Sequence, residues 1–143
     1  MAAWALAAAM AGPLAAAPTG EHVALFKSVS GSVTVVRNSG PVTATAGMPL
    51  YVADRLVSAA DATAGIMFKD GTAVTLGPAS EIELRDYVFE PKDARYQFDL
   101  YLSRGKAVYA SGKIGKLSPE SVKVGTPTAT VGVRGTRFIV EAE

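Results

Sequence analysis

Residues 95–102 alternate without a break. Tyr96, Phe98, Leu100 and Leu102 fall on one side, and Arg95, Gln97, Asp99 and Tyr101 on the other. A period of two belongs to a strand, whose successive side chains point to opposite faces; on a helix the same residues would scatter around the axis. Shorter stretches repeat the pattern. Val33 and Val35 alternate with Ser32 and Thr34, and Ile66 and Phe68 are followed by Val74 and Leu76. Ile82 and Leu84 alternate with Glu81, Glu83 and Arg85, and the series closes with Thr130, Val131, Val133, Phe138 and Val140. Beyond residue 17, about a third of the residues are Val, Ile, Thr, Tyr or Phe, which pack well on a pleated surface. Gly and Pro recur too often for long helices. The expectation is an all-β, single domain of about ten to twelve short strands, meander-like, built as a sandwich, a distorted barrel or a short solenoid. A chain of 143 residues suits one such domain.

Two segments carry finer expectations. Asp70-Gly71 lies between the apolar runs of Ile66–Phe68 and Val74–Leu76, a strong hairpin signal. It predicts a type I′ turn, which needs positive φ at both central residues. Leu50, Ala53, Leu56, Val57 and Ala60 also fit one face of a helix, so a short helix competes with strands there.

The first 17 residues include ten Ala and no charge, ending Leu14-Ala15-Ala16-Ala17. They read as a secretory signal peptide over 1–17, with the working β domain over 18–143. Cleavage is expected after Ala16, because Pro18 would sit beside the bond if Ala17 were the last residue removed. As a helix this segment spans only ~24 Å, short of a ~30 Å hydrocarbon core, so no transmembrane span is expected in the mature chain. All 14 Lys/Arg and 13 Asp/Glu follow residue 17, leaving a net charge of +1. That balance offers no electrostatic footprint for nucleic acid.

The residues suited to catalysis are few. With Cys absent, there is no disulfide, thiolate metal site or thiol nucleophile. The single His, His22, rules out two-histidine metal sites within one chain and reads as a solvated residue before the first strand. Glu81 and Glu83 share one face of a predicted strand, which suits solvated side chains better than the two carboxyls that glycoside hydrolysis sets across a cleft. Lys69-Asp70 and Lys92-Asp93 place a cation beside each carboxylate that a metal would need. No catalytic, cofactor-binding or metal-binding residue is assigned, and the chain is expected not to be an enzyme.

Several turns occur in a recognisable order. They are Ser30-Gly31-Ser32-Val33-Thr34-Val35, Gly47-Met48-Pro49-Leu50 with Asp54-Arg55-Leu56, and Phe68-Lys69-Asp70-Gly71-Thr72. Leu76-Gly77-Pro78-Ala79-Ser80-Glu81-Ile82 follows, and the stretch Gly125–Phe138 ends in Arg134-Gly135-Thr136-Arg137-Phe138. From about Val29 to Val140 the chain resembles the FecR family domain, named for the periplasmic regulator of iron-dicitrate transport. The resemblance implies an extracytoplasmic all-β domain for interaction and signalling. In the founding regulators this domain follows a sigma-factor-binding segment and a transmembrane helix; neither is read here, and the resemblance covers the β domain alone. Ala53-Asp54 departs from the family's usual Gly-Asp, a matter of backbone freedom.

The matched residues also read as folding residues. Gly71 and Gly135 suit turns, Asp54 and Asp70 can bond turn amides, Thr126-Pro127 suits a turn leading into a strand, and Phe138 suits the core. The expected function is a periplasmic, non-catalytic module for protein–protein interaction or signalling, with an unidentified envelope protein as partner and a strand edge as the means. The alternative is an envelope glycan-binding or structural module, with Tyr87, Tyr96, Tyr101 and Tyr109 as aromatic platforms.

Overall fold

The computed structural model describes residues 21–132 and 137–142. The expected leader and the Gly135 turn lie outside the described residues. In chain order the strands are β1 (Ala24–Ser30), β2 (Val33–Arg37), β3 (Gly40–Thr43), β4 (Pro49–Leu50), β5 (Arg55–Ser58) and β6 (Thr63–Phe68). Then come β7 (Ala73–Leu76), β8 (Glu81–Glu90), β9 (Arg95–Ala110), β10 (Val122–Gly125), β11 (Thr130–Gly132) and β12 (Arg137–Ala142). One short helix, α1 (Lys113–Leu117), lies between β9 and β10. No helix among the described residues is long and apolar enough to cross a membrane.

The strands form one curled sheet in the order β3-β2-β5-β8-β9-β7-β6-β1-β4, with β10 and β12 also on β9 and β11 on β10. Among the described strands, β2–β3, β6–β7, β8–β9 and β10–β11 pair with their chain neighbours in antiparallel fashion, and β9–β10 in parallel. The path is therefore less of a meander than the turn spacing suggests, because β1, β5 and β12 return to distant strands.

The 16-residue β9 organises the sheet. Its first half pairs with β8 on one side and, in parallel, with β10 on the other. Its second half pairs with β7 and β12. Between the halves the inward residues change from Phe98, Leu100 and Leu102 to Ala107 and Tyr109. This change of phase is the effect of one extra residue in a strand. Gly105, at φ +89°, makes it possible. Its Cα lies against the Ser80 side chain, leaving no room for a Cβ, and the Ser80 hydroxyl accepts the Lys106 N–H at 2.9 Å.

The core runs along the concave side through Phe26, Val33, Val35, Leu50, Leu56, Ile66, Leu76, Ile82, Leu100 and Leu102. Each such side chain contributes roughly 1.5–3 kcal/mol by leaving water. A chain of rings continues it, with Phe68–Phe98 at 4.9 Å, Phe98–Tyr109 at 5.6 Å and Tyr109–Phe138 at 4.9 Å between centroids. Phe138 is thus on the inward face as expected, although only partly buried against the core.

The competing helix over residues 50–60 does not form. Tyr51 to Asp54 make a turn, closed by the Asp54 N–H on the Tyr51 carbonyl at 3.1 Å, and β5 follows. Ala53 sits at φ 77°, the third position of the turn, where a type II turn favours glycine. The chain therefore keeps the conformation of the expected Gly-Asp turn with an alanine in the strained place.

The Asp70-Gly71 hairpin forms, but its turn is not type I′. Met67 pairs with Ala73, the Gly71 N–H reaches the Phe68 carbonyl at 3.0 Å, and Gly71 is at φ +89° whereas Asp70 is not in the left-handed region. The loop is the three-residue kind, a turn followed by one left-handed glycine.

Candidate functional site

Two sets of polar residues hold the loops, and both are interior. Asp70 is 2% exposed. Its carboxylate accepts the Thr72 N–H at 3.2 Å, the Thr72 hydroxyl at 2.6 Å, the Tyr87 hydroxyl at 3.0 Å and the Ile114 N–H at 3.0 Å. The Asp70 carbonyl takes the Lys113 N–H at 2.9 Å, so the first amides of α1 are capped by a turn 44 residues earlier rather than by a local side chain. Gly112 lies against this turn with no space for a Cβ. Burial first, then the Asp70 charge, holds the Tyr87 phenol far above its ordinary range. Tyr109 is also raised, chiefly by burial, with Ser111 offsetting part of the effect.

Asp54, the second interior carboxylate, accepts Arg37 Nε at 3.1 Å and the Tyr51 N–H at 2.9 Å. Arg37 also donates to the Pro49 carbonyl at 2.7 Å and lies over the Tyr51 ring. Both aspartates bond their own turn amides as expected. The sequence did not show their distant partners.

The remaining candidates are dispersed. His22 precedes β1 and is partly exposed. Glu81 accepts the Ser103 hydroxyl at 2.7 Å and lies 3.6 Å from Arg55, while Glu83 pairs with Arg85 at 3.7 Å. Lys69 pairs with Glu21 at 3.2 Å, and Lys92 and Asp93 are exposed in a short turn. Thr126 and Ala129 close the β10–β11 turn, where Thr126-Pro127 was expected to lead into a strand. No cluster of three or more metal-ligating side chains occurs among the described residues.

The tyrosines do not form a shared platform. Tyr87 and Tyr109 belong to the core. Tyr87 turns inward because β8 shifts register between Leu84 and Asp86, a bulge that strict alternation from Ile82 does not foresee. Tyr101 faces outward as expected, but the Arg85 guanidinium covers its ring at 3.8 Å. Tyr96 leans on Phe89.

Sheet edges are the other surface the fold provides. An edge strand presents unpaired N–H and C=O groups, and Pro or very short length blunts it. β3 contains Pro41, β4 is two residues beginning with Pro49, and β11 is three residues. β12 differs: it has six residues, Arg-Phe-Ile-Val-Glu-Ala, without Pro or Gly. Among the described strands it pairs only with β9, through Arg137–Ala110 to Ala142–Gly105. Val140 is buried, whereas Ile139 is 62% exposed on the convex face. Glu141 bonds Lys106 at 3.2 Å, and Arg137 makes no ion pair among the described residues.

No curated protein matches the chain. A solved structure described as a cell surface anchoring domain is 28% identical, covering 45% of this chain and 86% of that one, at a TM-score of 0.43. The family model described as FecR protein matches residues 54–143, a region that runs from the Asp54 turn through the Asp70 hairpin to β12. The chain belongs to the FecR family.

Proposed function

We propose that this FecR-family chain is a non-catalytic interaction module of the bacterial cell envelope, exported to the periplasm, that binds a protein partner by strand addition at β12. The carrying observation is β12 itself, a six-residue edge without proline that exposes Ile139. Main-chain hydrogen bonds along such an edge supply affinity, and alternate side chains supply selectivity. Family membership supports the envelope setting, and the Ala-rich start supports export. The two interior carboxylates support a binding rather than a catalytic reading, because their bonds are spent on the turns and on α1.

A photo-crosslinking residue placed at Ile139 in the expressing cell tests this reading. Discrete protein adducts are expected from Ile139, and none from the same residue at Val42 on the proline-guarded β3. Equal adducts from both positions, or none from Ile139, would overturn the assignment of β12 as the binding edge.

A further inference from the structure

We propose that the strand added at β12 is β12 of a second copy, antiparallel about a two-fold axis through Ile139. This inference rests on the edge reading above and names the occupant. A two-fold interface must be self-complementary, so each residue's opposite number is set by the strand's own sequence. An axis at Ile139 puts Arg137 of each copy opposite Glu141 of the other. Phe138 then faces Val140, and Ile139 faces Ile139. Two opposite-charge pairs and three apolar pairs result, all of the kind that stabilises adjacent strands.

The alternatives fit less well. Parallel pairing in register sets Arg137 against Arg137 and Glu141 against Glu141. Moving the antiparallel axis to Phe138 sets Arg137 against Ile139 and removes the charge match. Faces also agree: Ile139 and its neighbour Val108 lie on the convex side, while Phe138 and Val140 lie on the core side, so even spacing about Ile139 joins convex face to convex face. Arg137, without an ion pair among the described residues, gains a carboxylate. Glu141 adds the guanidinium to its existing Lys106 contact. A ladder this short falls under the roughly 1,000 Å² that stable interfaces bury, so the association should be weak and concentration-dependent.

Charge reversal with mixing tests the register. Sedimentation equilibrium of the purified protein should show a reversible monomer–dimer equilibrium. Arg137→Glu places Glu against Glu, and Glu141→Arg places Arg against Arg, so each variant alone should dimerise on the order of tenfold more weakly. Mixed, the two variants restore both opposite-charge pairs and should associate at least as well as the parent. Both sites are exposed, and matching melting curves confirm that the variants are folded.

Since the chain has no Cys, Ile139→Cys provides a second reading. Directly opposed strand residues lie about 4.5–5.5 Å apart at Cα, within disulfide reach. Mild oxidation should give a covalent dimer, and Val42→Cys should not. A protein that stays monomeric and forms no Ile139→Cys dimer overturns self-pairing; foreign adducts at Ile139 in cells would then leave the edge reading standing. A dimer indifferent to both charge reversals and to the Cys probe overturns this register and places self-association elsewhere.

Discussion

Replacing Asp70 with Asn changes one atom of the side chain and tests whether this carboxylate organises three separate segments. As a carboxylate, Asp70 only accepts, and each of its four short contacts comes from a donor. Asn keeps one accepting oxygen, which can retain Thr72 N–H and Tyr87. Its NH2 group must then face the Thr72 hydroxyl and the Ile114 N–H. The hydroxyl can rotate to accept, but the backbone N–H cannot, and a buried unsatisfied donor costs roughly 1–3 kcal/mol. Weakening the remaining charge-assisted bonds adds to this, for a total of about 2–4 kcal/mol. Against a domain stability of roughly 5–15 kcal/mol, that is a large loss. Thermal melting should fall by roughly 10 °C, and hydrogen exchange at Ile114 should accelerate more than exchange in β2. The exposed Asp61→Asn is the control. A midpoint for Asp70→Asn within about 2 °C of the parent would refute the capping argument, since even the low end of the cost of one unsatisfied buried donor, about 1 kcal/mol, moves a domain of this size by roughly 3–5 °C.

Phe138→Ala should destabilise by about 2 kcal/mol in urea titration, less than the ~3–5 kcal/mol of a fully buried ring, because Phe138 is only partly buried against Tyr109. An unchanged midpoint would move Phe138 from the core margin to a binding role. Ala53→Gly should stabilise the protein by up to about 1 kcal/mol, since relief of an alanine at φ 77° outweighs the added freedom of the unfolded chain; a lower melting temperature would refute the type II turn. Alkaline conditions should also weaken the fold. The phenols of Tyr87 and Tyr109 are raised in the folded protein, so the unfolded chain loses its protons first. Their contribution is complete below the ordinary phenol range near ~10 and declines as pH rises beyond it, at up to about 1.4 kcal/mol per pH unit for each group. Urea titrations at rising pH check this, and Tyr87→Phe should flatten the decline.

The local pattern of the chain determined the strand class and much of the side-chain orientation. Alternation at Val33–Val35, Ile66–Phe68, Phe98–Leu102 and Phe138–Val140 places the same residues inward in the structure, because a strand's two faces follow from the backbone alone. The hairpin at Asp70-Gly71 and the turn at Ala53-Asp54 were legible for the same reason, each being set by a few adjacent residues.

What the tertiary structure decided involves residues far apart. The bulges near Arg85 and Gly105 exchange inner and outer faces, so Tyr87 and Tyr109 become core residues where sequence reading left them as possible platforms. The helix α1 at 113–117 is short and lacks a local cap, and it becomes recognisable only with Asp70 beneath its first amides. Parallel pairing of β10 with β9 depends on the crossover through α1. The open flank of β12 is likewise invisible in a linear sequence. Its six residues read as an ordinary strand, and only the order of the sheet shows that, among the described strands, it has one neighbour. An edge is a property of the assembled sheet, because a strand's hydrogen-bonding sides are filled by whichever segments the fold brings beside it.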